Sequence, residues 1–319
     1  MLNFVKTAVI HYKMNFLITI IGPTAIGKTS LSIALAQHFK CDIISCDSRQ
    51  FFKEMRIGTA VPSDEELASA NHHFIQNKSI FEEYTVGDFE RDAITKLDEL
   101  FEKNNIQIMV GGSGLYVDAV LKGFDDFPEI DSKIRDEVRA NYEEKGIEYL
   151  QALLKEKDLN YFESLSSNNP QTLQNPQRMM RFVEVCLGSN QPYSSFLNQK
   201  KNSRNFTPII IGLEAERQIM YDRINHRVGI MMNEGLLAEA EKLYPNKELN
   251  ALQTVGYREL FEYLDGTISL DFAIEEIKKN TRRFSKRQIT WFKRTENTAW
   301  FDYLMDRKEI ISHITNIIK

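Results

Sequence analysis

The sequence predicts an α/β fold in which a parallel sheet is flanked by helices and interrupted by an inserted helical domain. Short apolar runs suited to buried strands alternate with helical stretches, a pattern typical of parallel sheets. The predicted strands are residues 15–21, 42–46, 106–110 and 208–213. The predicted helices include residues 30–39 and 86–103 between the strands, and residues 214–244 and 270–294 after them.

The first predicted strand leads into a segment that fits the phosphate-loop pattern G-x-x-x-x-G-K-[ST] at each required position. Its two glycines let backbone N–H groups close around phosphate oxygens. Lys28 adds a point charge, Thr29 can hold Mg²⁺, and the following helix contributes the positive end of its dipole. The segment is Gly22, Pro23, Thr24, Ala25, Ile26, Gly27, Lys28 and Thr29. We therefore expect a P-loop NTPase-like sheet that binds a phosphate group.

The ends of two other strands indicate which phosphate chemistry is favoured. In nucleotide hydrolases a later strand ends in an Asp that helps to hold the metal, but the strand at 106–110 is followed by GGSG at residues 111–114. Asp47 instead follows the strand at 42–46, and ligands gather at the carboxyl ends of parallel strands. Asp47 can be a general base or a metal ligand, or else an N-cap or turn residue. Nucleotide hydrolysis is therefore disfavoured.

Composition predicts a packed cytoplasmic enzyme. The chain has 319 residues and a net charge of −5, which argues against a protein wholly devoted to nucleic acid. Its three cysteines have no metal-ligand spacing and predict no structural disulfide. No apolar run is long enough to cross a bilayer. Residues 1–13 precede Met14 and the first predicted strand, so we expect an N-terminal extension, with Met1 and Met14 both open as the start.

A polar, helix-rich block at residues 125–205 separates the third and fourth predicted strands. It predicts an inserted helical domain and leaves residues 14–124 and 206–319 as the catalytic core. Within the block, Asn175 followed by Pro176 indicates the N-cap and first residue of a helix. That helix presents two arginines near its start, which is also the pattern of an ordinary amphipathic helix.

A basic stretch near the C-terminus carries eight Lys and Arg residues and no acidic residue between positions 278 and 294. Helical spacing aligns Lys278, Arg282 and Lys286 on one stripe. A solvated helix face normally mixes signs, so this stretch favours polyanion binding over a plain solvated face. His72 and His73 have no further ligand at suitable spacing, so a structural or hydrogen-bonding role is favoured over a metal site.

Several segments, in their order and spacing, resemble the tRNA dimethylallyltransferases, also called tRNA isopentenyltransferases. The resemblance covers nearly the whole chain after Met14, and Ile26 and Ser113 are small departures from the usual residues. The segments are the phosphate loop and residues 47–50, 57–62, 72–73, 111–116, 175–181, 253–258 and 286–291.

The resemblance implies transfer of a dimethylallyl group from dimethylallyl diphosphate to N6 of adenosine 37 in tRNA, with release of diphosphate. The phosphate loop would then hold diphosphate instead of ATP, with Mg²⁺ near Thr29. Asp47, as general base, would form the catalytic set with Thr24 and Arg227, and Arg227 would also clamp the diphosphate. The implied tRNA contacts are Asp47, Ser48, Arg49, Gln50, Ser113, Arg135, Gln177, Arg178, Met179, Met180, Arg181, Gln253, Thr254, Val255, Gly256, Tyr257 and Arg258.

Three alternatives stay open at this stage. A phosphate-loop kinase would consume ATP, and an ATP-gated RNA-binding protein would show RNA affinity that changes with ATP. An adenylate isopentenyltransferase would act on free nucleotides, but a mononucleotide leaves the inserted domain and the basic stretch without a ligand. The expected macromolecular partner is the anticodon stem-loop of tRNA. A monomer is the working expectation, and the sequence leaves open which tRNAs are substrates.

Overall fold

The computed structural model describes residues 14–125, 127–198 and 203–319. The predicted N-terminal extension, residues 1–13, lies outside the described residues. The chain divides into two compact units. The first comprises the described residues up to Leu121 together with Arg204–Lys319, and the second comprises those within Lys122–Ser203.

Within the described residues, six strands form one sheet in the order β3-β2-β4-β1-β5-β6, and each neighbouring pair is parallel. The strands are β1 (Phe16–Ile21), β2 (Ile43–Ser45), β3 (His72–His73), β4 (Ile106–Val110), β5 (Thr207–Glu214) and β6 (Thr298–Asp302). The predicted parallel sheet is confirmed. The sequence did not predict β3 and β6 because these edge strands are not continuous apolar runs.

Helices cover the sheet and build the second unit. They are α1 (Lys28–Phe39), α2 (Asp64–Ser69), α3 (Val86–Lys103), α4 (Gly114–Lys122), α5 (Ser132–Lys157), α6 (Leu159–Asn168), α7 (Pro176–Ser189), α8 (Arg217–Asn233), α9 (Leu236–Leu243), α10 (Tyr257–Leu264), α11 (Leu270–Phe292) and α12 (Arg307–Ile318). Short 3-10 turns lie at Pro170–Gln174, Tyr193–Phe196, Tyr244–Asn246 and Asn250–Leu252. No helix in the described ranges has the length and apolar character needed to span a bilayer.

The single long helix predicted for residues 214–244 is wrong. Glu214 is the last residue of β5, and the helical part is divided into α8 and α9. The division falls at Gly235, whose φ of 101° is left-handed and incompatible with a continuing α-helix. The predicted helix at 86–103 matches α3, and the one at 270–294 ends two residues earlier than expected.

The side chains of β1 alternate between two cores, one on each face of the sheet. Ile18 belongs to a cluster that includes Leu35 of α1 and residues of α12. Leu17 belongs to a second cluster with Phe89 of α3 and Phe292 of α11. Each residue of β1 is buried, as predicted for a strand covered on both faces.

A third cluster packs α8, α9, α10 and α11 against one another. Val228, Leu236, Tyr257 and Ile277 are wholly or almost wholly buried in it. This packing fixes α8 and α11, the two helices that deliver side chains to the site described below.

The second unit packs α5, α6 and α7 around its own apolar cluster. α7 begins as predicted, because the Asn175 side chain accepts a hydrogen bond from Arg178 N at 3.1 Å and Pro176 is the first helical residue. Gly146, with φ 76°, interrupts α5.

Candidate active site

The phosphate loop connects β1 to α1 at the carboxyl edge of the sheet. Gly22 has φ 147°, and a Cβ there would lie 2.7 Å from the carbonyl oxygen of Leu213 in β5. Gly27 has φ 108° and immediately precedes α1. Both positions therefore favour glycine. The loop directs the N-terminus of α1, with its positive dipole end, toward the end of the sheet.

Lys28 is the first residue of α1 and is partly buried at the loop. Its ammonium donates to the carbonyl oxygen of Pro23 at 2.7 Å. Burial lowers the pKa of Lys28 to about 8, while the Asp47 carboxylate opposes this shift and the Arg227 guanidinium adds to it. A bound anion would favour the charged form because it replaces solvation that burial removes. The site is therefore suited to an anionic ligand.

Asp47 follows β2 and begins a turn. Its Oδ1 accepts a hydrogen bond from Arg49 N at 3.2 Å, and its carbonyl oxygen accepts from Gln50 N at 3.0 Å. No helix begins in this described segment, so the N-cap alternative is wrong and the turn is present. The carboxylate acts to raise the pKa of both Lys28 and Arg227, because it lies near both cations.

Arg227 of α8 reaches the phosphate loop. Its Nη1 donates to the hydroxyl oxygen of Thr24 at 3.3 Å. Burial lowers the pKa of Arg227 from its ordinary value, although Asp47 counteracts part of this effect. A guanidinium remains charged at neutral pH. The structure thus brings Thr24, Asp47 and Arg227 together at one site.

Two cavities meet at these residues. The first has a volume of about 360 Å³ and is lined by the phosphate loop from Thr24 to Thr29. The second has a volume of about 610 Å³ and is lined by α4, α8, α10 and α11. The residues that line both are Thr24, Asp47, Thr59 and Arg227. Both volumes fall in the range of small-molecule sites, of about 300–1,000 Å³.

Part of the set of sequence-predicted site residues lines the two cavities. Gly22 and Pro23 do not line the first cavity. Gly22 lies close to the carbonyl oxygen of Leu213 in β5, and the carbonyl oxygen of Pro23 accepts from Lys28. Gln50 lines the first cavity. The expected tRNA contacts that line the second cavity are Asp47, Ser48, Arg49, Ser113, Gln253, Thr254, Val255, Gly256 and Arg258.

Hydrogen bonds fix the turn that carries Asp47. The Ser113 hydroxyl accepts from Ser48 N at 3.1 Å and also lies 3.1 Å from the Ser48 hydroxyl oxygen. Arg49 donates to the carbonyl oxygens of Asn250 and Ala251, at 3.1 and 2.9 Å. These contacts tie the turn to the start of α4 and to the segment before α10, so they restrict where the Asp47 carboxylate can lie.

The GGSG segment after β4 receives two side chains of α11. A Cβ at Gly112 would lie 2.4 Å from Gln288 Nε2, and a Cβ at Gly114 would lie 2.4 Å from Trp291 Cδ1. Both glycines therefore leave space that the helix occupies.

Among the described residues that line the first cavity, Asp47 is the one carboxylate, so β4 contributes no acid there.

The expected tRNA contact at Tyr257 requires a correction. Its side chain is wholly buried, and its hydroxyl donates to Glu239 Oε1 at 2.7 Å. The ring also fills the space beside Gly58, where a Cβ would lie 2.5 Å from it. Burial leaves this side chain without a surface for RNA, so its role is to support the residues around it.

The expected tRNA contacts of the second unit lie on α5 and α7. Gln177 and Arg178 are exposed, while Met180 and Arg181 are partly buried. The Arg181 guanidinium lies 5.6 Å from the centre of the Phe127 ring. Met179 is wholly buried in the apolar cluster of this unit, so direct RNA contact by its side chain is the second correction. Arg135 lies on α5.

The basic stretch of α11 is less basic than the sequence between 278 and 294 indicates. Lys278 pairs with Glu275 at 2.7 Å, and Lys279 pairs with Glu276. Both acids lie one turn earlier on the same helix, before the first residue of the basic stretch. The exposed cations toward the end of the helix include Lys286 and Arg287, and Arg287 lines the second cavity.

The adjacent histidines make hydrogen bonds at the edge strand β3. His73 Nε2 lies 2.8 Å from Asp42 Oδ2, and His72 Nδ1 lies 2.8 Å from the carbonyl oxygen of Ala70. In the residues that the structure describes, no group of three or more His, Cys, Asp or Glu could hold a metal ion. The hydrogen-bonding role favoured from the sequence is confirmed. The three cysteines are free, and each of them is buried.

Sequence reasoning assigned no role to several residues that the fold brings to the site. Thr59 and Gln288 belong to segments that carry the family resemblance. Arg223 lines the first cavity and lies one helical turn before Arg227 on α8. Arg223 could have been identified from its four-residue spacing to Arg227, because residues four apart lie on the same face of a helix. Gln288 could have been identified from its three-residue spacing to Trp291, because that spacing places both side chains on one side of α11.

The chain matches known proteins over most of its length. Residues 50–295 match the family described as IPP transferase. The chain is 76% identical over 306 residues to a tRNA dimethylallyltransferase of Flavobacterium psychrophilum, with 96% of this chain and 100% of that protein covered. It is 44% identical over 303 residues to tRNA dimethylallyltransferase 1 of Bacteroides fragilis, with 95% of this chain and 98% of that protein covered.

Solved structures show the same fold. The full-length tRNA isopentenylpyrophosphate transferase of Bacillus halodurans matches with a TM-score of 0.69 and 35% identity, over 95% of each chain. A eukaryotic dimethylallyltransferase shares the fold with a TM-score of 0.82 at 23% identity, over 95% of this chain and 79% of that chain. The predicted family resemblance and P-loop-like fold are confirmed, and this chain belongs to the IPP transferase family.

Proposed function

We propose that this protein transfers a dimethylallyl group from dimethylallyl diphosphate to N6 of adenosine 37 in tRNA and releases diphosphate. The observation that carries the proposal is the shared wall of Thr24, Asp47 and Arg227 between the two cavities. The first cavity offers a phosphate loop to the diphosphate. The second offers a larger, partly apolar space to the adenine, which must leave its stack to react.

The cations of the first cavity stabilise the leaving group. As the bond between C1 of the dimethylallyl group and the diphosphate oxygen breaks, negative charge develops on that oxygen. Lys28 and Arg227 supply fixed positive charge at this cavity. Because Arg227 donates to Thr24 Oγ1, the hydroxyl proton of Thr24 is available for a hydrogen bond to the departing oxygen.

Asp47 acts as the base. The exocyclic amine of adenine is a weak nucleophile because its lone pair is delocalised into the ring. As the N6–C1 bond forms, one N6 proton passes to the Asp47 carboxylate and diphosphate departs with the electrons of the C1–O bond. In this scheme the adenine amine lies in the second cavity and attacks C1 of the dimethylallyl group, which is held at the first cavity. Asp47 lines both cavities, and this position supports its access to the amine.

The first cavity fits Mg²⁺ only together with the substrate. It combines the Thr29 hydroxyl with a single carboxylate, Asp47. Mg²⁺ prefers oxygen ligands and usually combines one or two protein groups with substrate phosphates and water. When bound, the ion would neutralise part of the diphosphate charge, and Thr29 would be its protein ligand.

We assign tRNA binding to both units. The second unit, within Lys122–Ser203, would contact the anticodon stem-loop through Arg178 and Arg181 of α7. In the first unit, Arg287 and Lys286 of α11 would meet backbone phosphates, which is the usual role of exposed basic side chains in RNA recognition. We place the reaction in the cytoplasm, and the three free cysteines are consistent with a reducing compartment.

The proposal is tested by incubating the protein with an unmodified tRNA anticodon stem-loop, dimethylallyl diphosphate and Mg²⁺, without ATP. Nucleoside mass analysis should show a dimethylallylated adenosine. A matched stem-loop with guanosine at position 37 should remain unmodified. Absence of product without ATP, with ATP consumed when it is supplied, would favour a kinase instead.

A further inference from the structure

Gln288 of α11 bridges two loops of the active site through both ends of its side-chain amide. Its Oε1 accepts from Thr24 N at 2.8 Å, and its Nε2 donates to the carbonyl oxygen of Gly112 at 2.8 Å. The side chain is buried, with 6% of its surface exposed. The two partners fix the amide orientation, because an amide oxygen only accepts and an amide nitrogen only donates.

The bridge determines which group of Thr24 a ligand meets. In phosphate loops, backbone N–H groups normally point at the phosphate oxygens. Here the N–H of Thr24 is bonded to Gln288, so Thr24 presents its hydroxyl, which also accepts from Arg227. Thr24 therefore offers a ligand its side-chain hydroxyl, where other residues of a phosphate loop offer a backbone N–H group.

The hydrogen bond from Gln288 to Gly112 connects the side chain to the turn that carries Asp47, the proposed base. Gly112 is followed by Ser113, whose hydroxyl bonds Ser48 N, directly after Asp47 in the chain. A continuous path of hydrogen bonds and covalent bonds thus joins Thr24, beside the leaving group, to the turn that carries Asp47. In this path Gln288 makes the longest connections in sequence, because it lies 264 residues after Thr24 and 176 residues after Gly112.

We propose that Gln288 is a positioning residue that sets the separation between the Thr24 hydroxyl and the Asp47 carboxylate. This inference rests on the proposed roles of Thr24 and Asp47 in transfer. Gln288 lines the second cavity, but both polar atoms of its amide bond to the protein, so it acts through these two residues. Its loss should therefore slow the chemical step and leave the binding of both substrates nearly intact.

Two substitutions test this role. Gln288→Met keeps the side-chain length and removes both hydrogen bonds, whereas Gln288→Glu keeps the acceptor for Thr24 N but places a carboxylate oxygen against the Gly112 carbonyl. Thr290→Ala is the matched control, because Thr290 is exposed on the same helix and its hydroxyl donates to Lys286 O within that helix. The measurements are the single-turnover transfer rate, the Kd for dimethylallyl diphosphate, the Kd for the stem-loop, and Tm.

Both Gln288 variants should transfer about 10–10²-fold more slowly, with each Kd changed less than about threefold, because small misplacements of reacting groups affect the chemical step most. A folded Gln288→Met protein that transfers at the wild-type rate would overturn the proposal, as would a Kd for dimethylallyl diphosphate that rises as much as the rate falls. If Gln288→Met does not fold, the isosteric Gln288→Glu decides by the same criteria. Wild-type protein and Thr290→Ala are measured in parallel. If neither of them transfers the dimethylallyl group, the proposed function fails, and the role of Gln288 is not the cause.

Discussion

Arg227 donates a hydrogen bond from Nη1 to the Thr24 hydroxyl, 3.3 Å away and 203 residues earlier in the chain. The contact joins α8 to the phosphate loop at the boundary of the two cavities. It gives the hydroxyl an orientation, because its oxygen accepts from the guanidinium and its proton is left to donate to the ligand. In the proposed reaction, the two residues would act on the leaving group as a pair.

Arg227→Lys should slow single-turnover transfer by about 10–10²-fold, because an ammonium keeps the charge but loses the planar fork that reaches both Thr24 and the diphosphate. Arg217→Lys is the control on the same helix, since Arg217 is exposed and donates to the Tyr221 hydroxyl outside both cavities. Equal rates in the two variants would show that charge alone is required.

Dimethylallyl diphosphate binding should depend on pH through Lys28. The pKa of Lys28 is lowered to about 8 in the unliganded protein, and bound diphosphate would raise it. Binding is therefore coupled to protonation only above the unliganded pKa. Kd should stay level below pH 8 and then rise, approaching about tenfold per pH unit.

The matched variant for this measurement is Lys28→Arg, which remains charged throughout the same range. Its Kd should lack the rise above pH 8, whatever its value at neutral pH. A wild-type Kd that stays level up to pH 9.5 would contradict the role of Lys28 as a titrating ligand of the diphosphate.

Glu239 organises the loop that contains Thr59. Its carboxylate accepts from the backbone nitrogens of Arg56, Ile57 and Gly58, at 3.0, 2.8 and 2.9 Å, and from the Tyr257 hydroxyl. Glu239→Ala would leave these donors without that partner. We expect a loss of about 3 kcal/mol in the free energy of unfolding and a fall in Tm of roughly 5–10 °C.

Glu241→Ala serves as the control, because Glu241 is exposed on the same helix, α9. It should change the free energy of unfolding by less than about 0.5 kcal/mol. Thermal unfolding of both variants checks the prediction. Similar Tm values would mean that the Glu239 contacts do not hold the loop.

The double substitution Arg178→Ala and Arg181→Ala should weaken stem-loop binding and leave the Kd for dimethylallyl diphosphate unchanged. If each arginine neutralises one phosphate, the slope of log K against log salt should fall by about 1.4–1.8. Binding measured at several salt concentrations gives this slope. The control replaces Arg139 and Lys157 of the same unit, and an equal loss in both double variants would argue for bulk charge alone.

The sequence predicted the centre of the sheet and one half of the site. Continuous apolar runs identified β1, β2, β4 and β5, and the phosphate-loop pattern located the first cavity. Asp47 could be assigned to the same edge of the sheet because parallel strands end there together. Arg227 was identified through the family resemblance, since nothing in its local pattern distinguishes it from other arginines of α8.

The remaining features depend on tertiary contacts. The bridge by Gln288 joins positions 264 residues apart, so no local pattern could reveal it. Tyr257 and Met179 lie in motifs that resemble RNA-contacting segments, yet packing buries both side chains. The basic stretch was overestimated because Glu275 and Glu276, one turn earlier on α11, pair with its first two lysines.

The single-turnover transfer rate of Asp47→Asn tests whether Asp47 is the base that takes the N6 proton. The amide keeps an oxygen that can accept from Arg49 N, so the turn should be retained while the ability to take the N6 proton is lost. Asp64→Asn, at the exposed start of α2, is the control. If Asp47 takes the N6 proton, Asp47→Asn should lower the rate about 10²–10⁴-fold and leave Tm and both substrate Kd values nearly unchanged. A folded Asp47→Asn protein that transfers at close to the wild-type rate would contradict this role of Asp47.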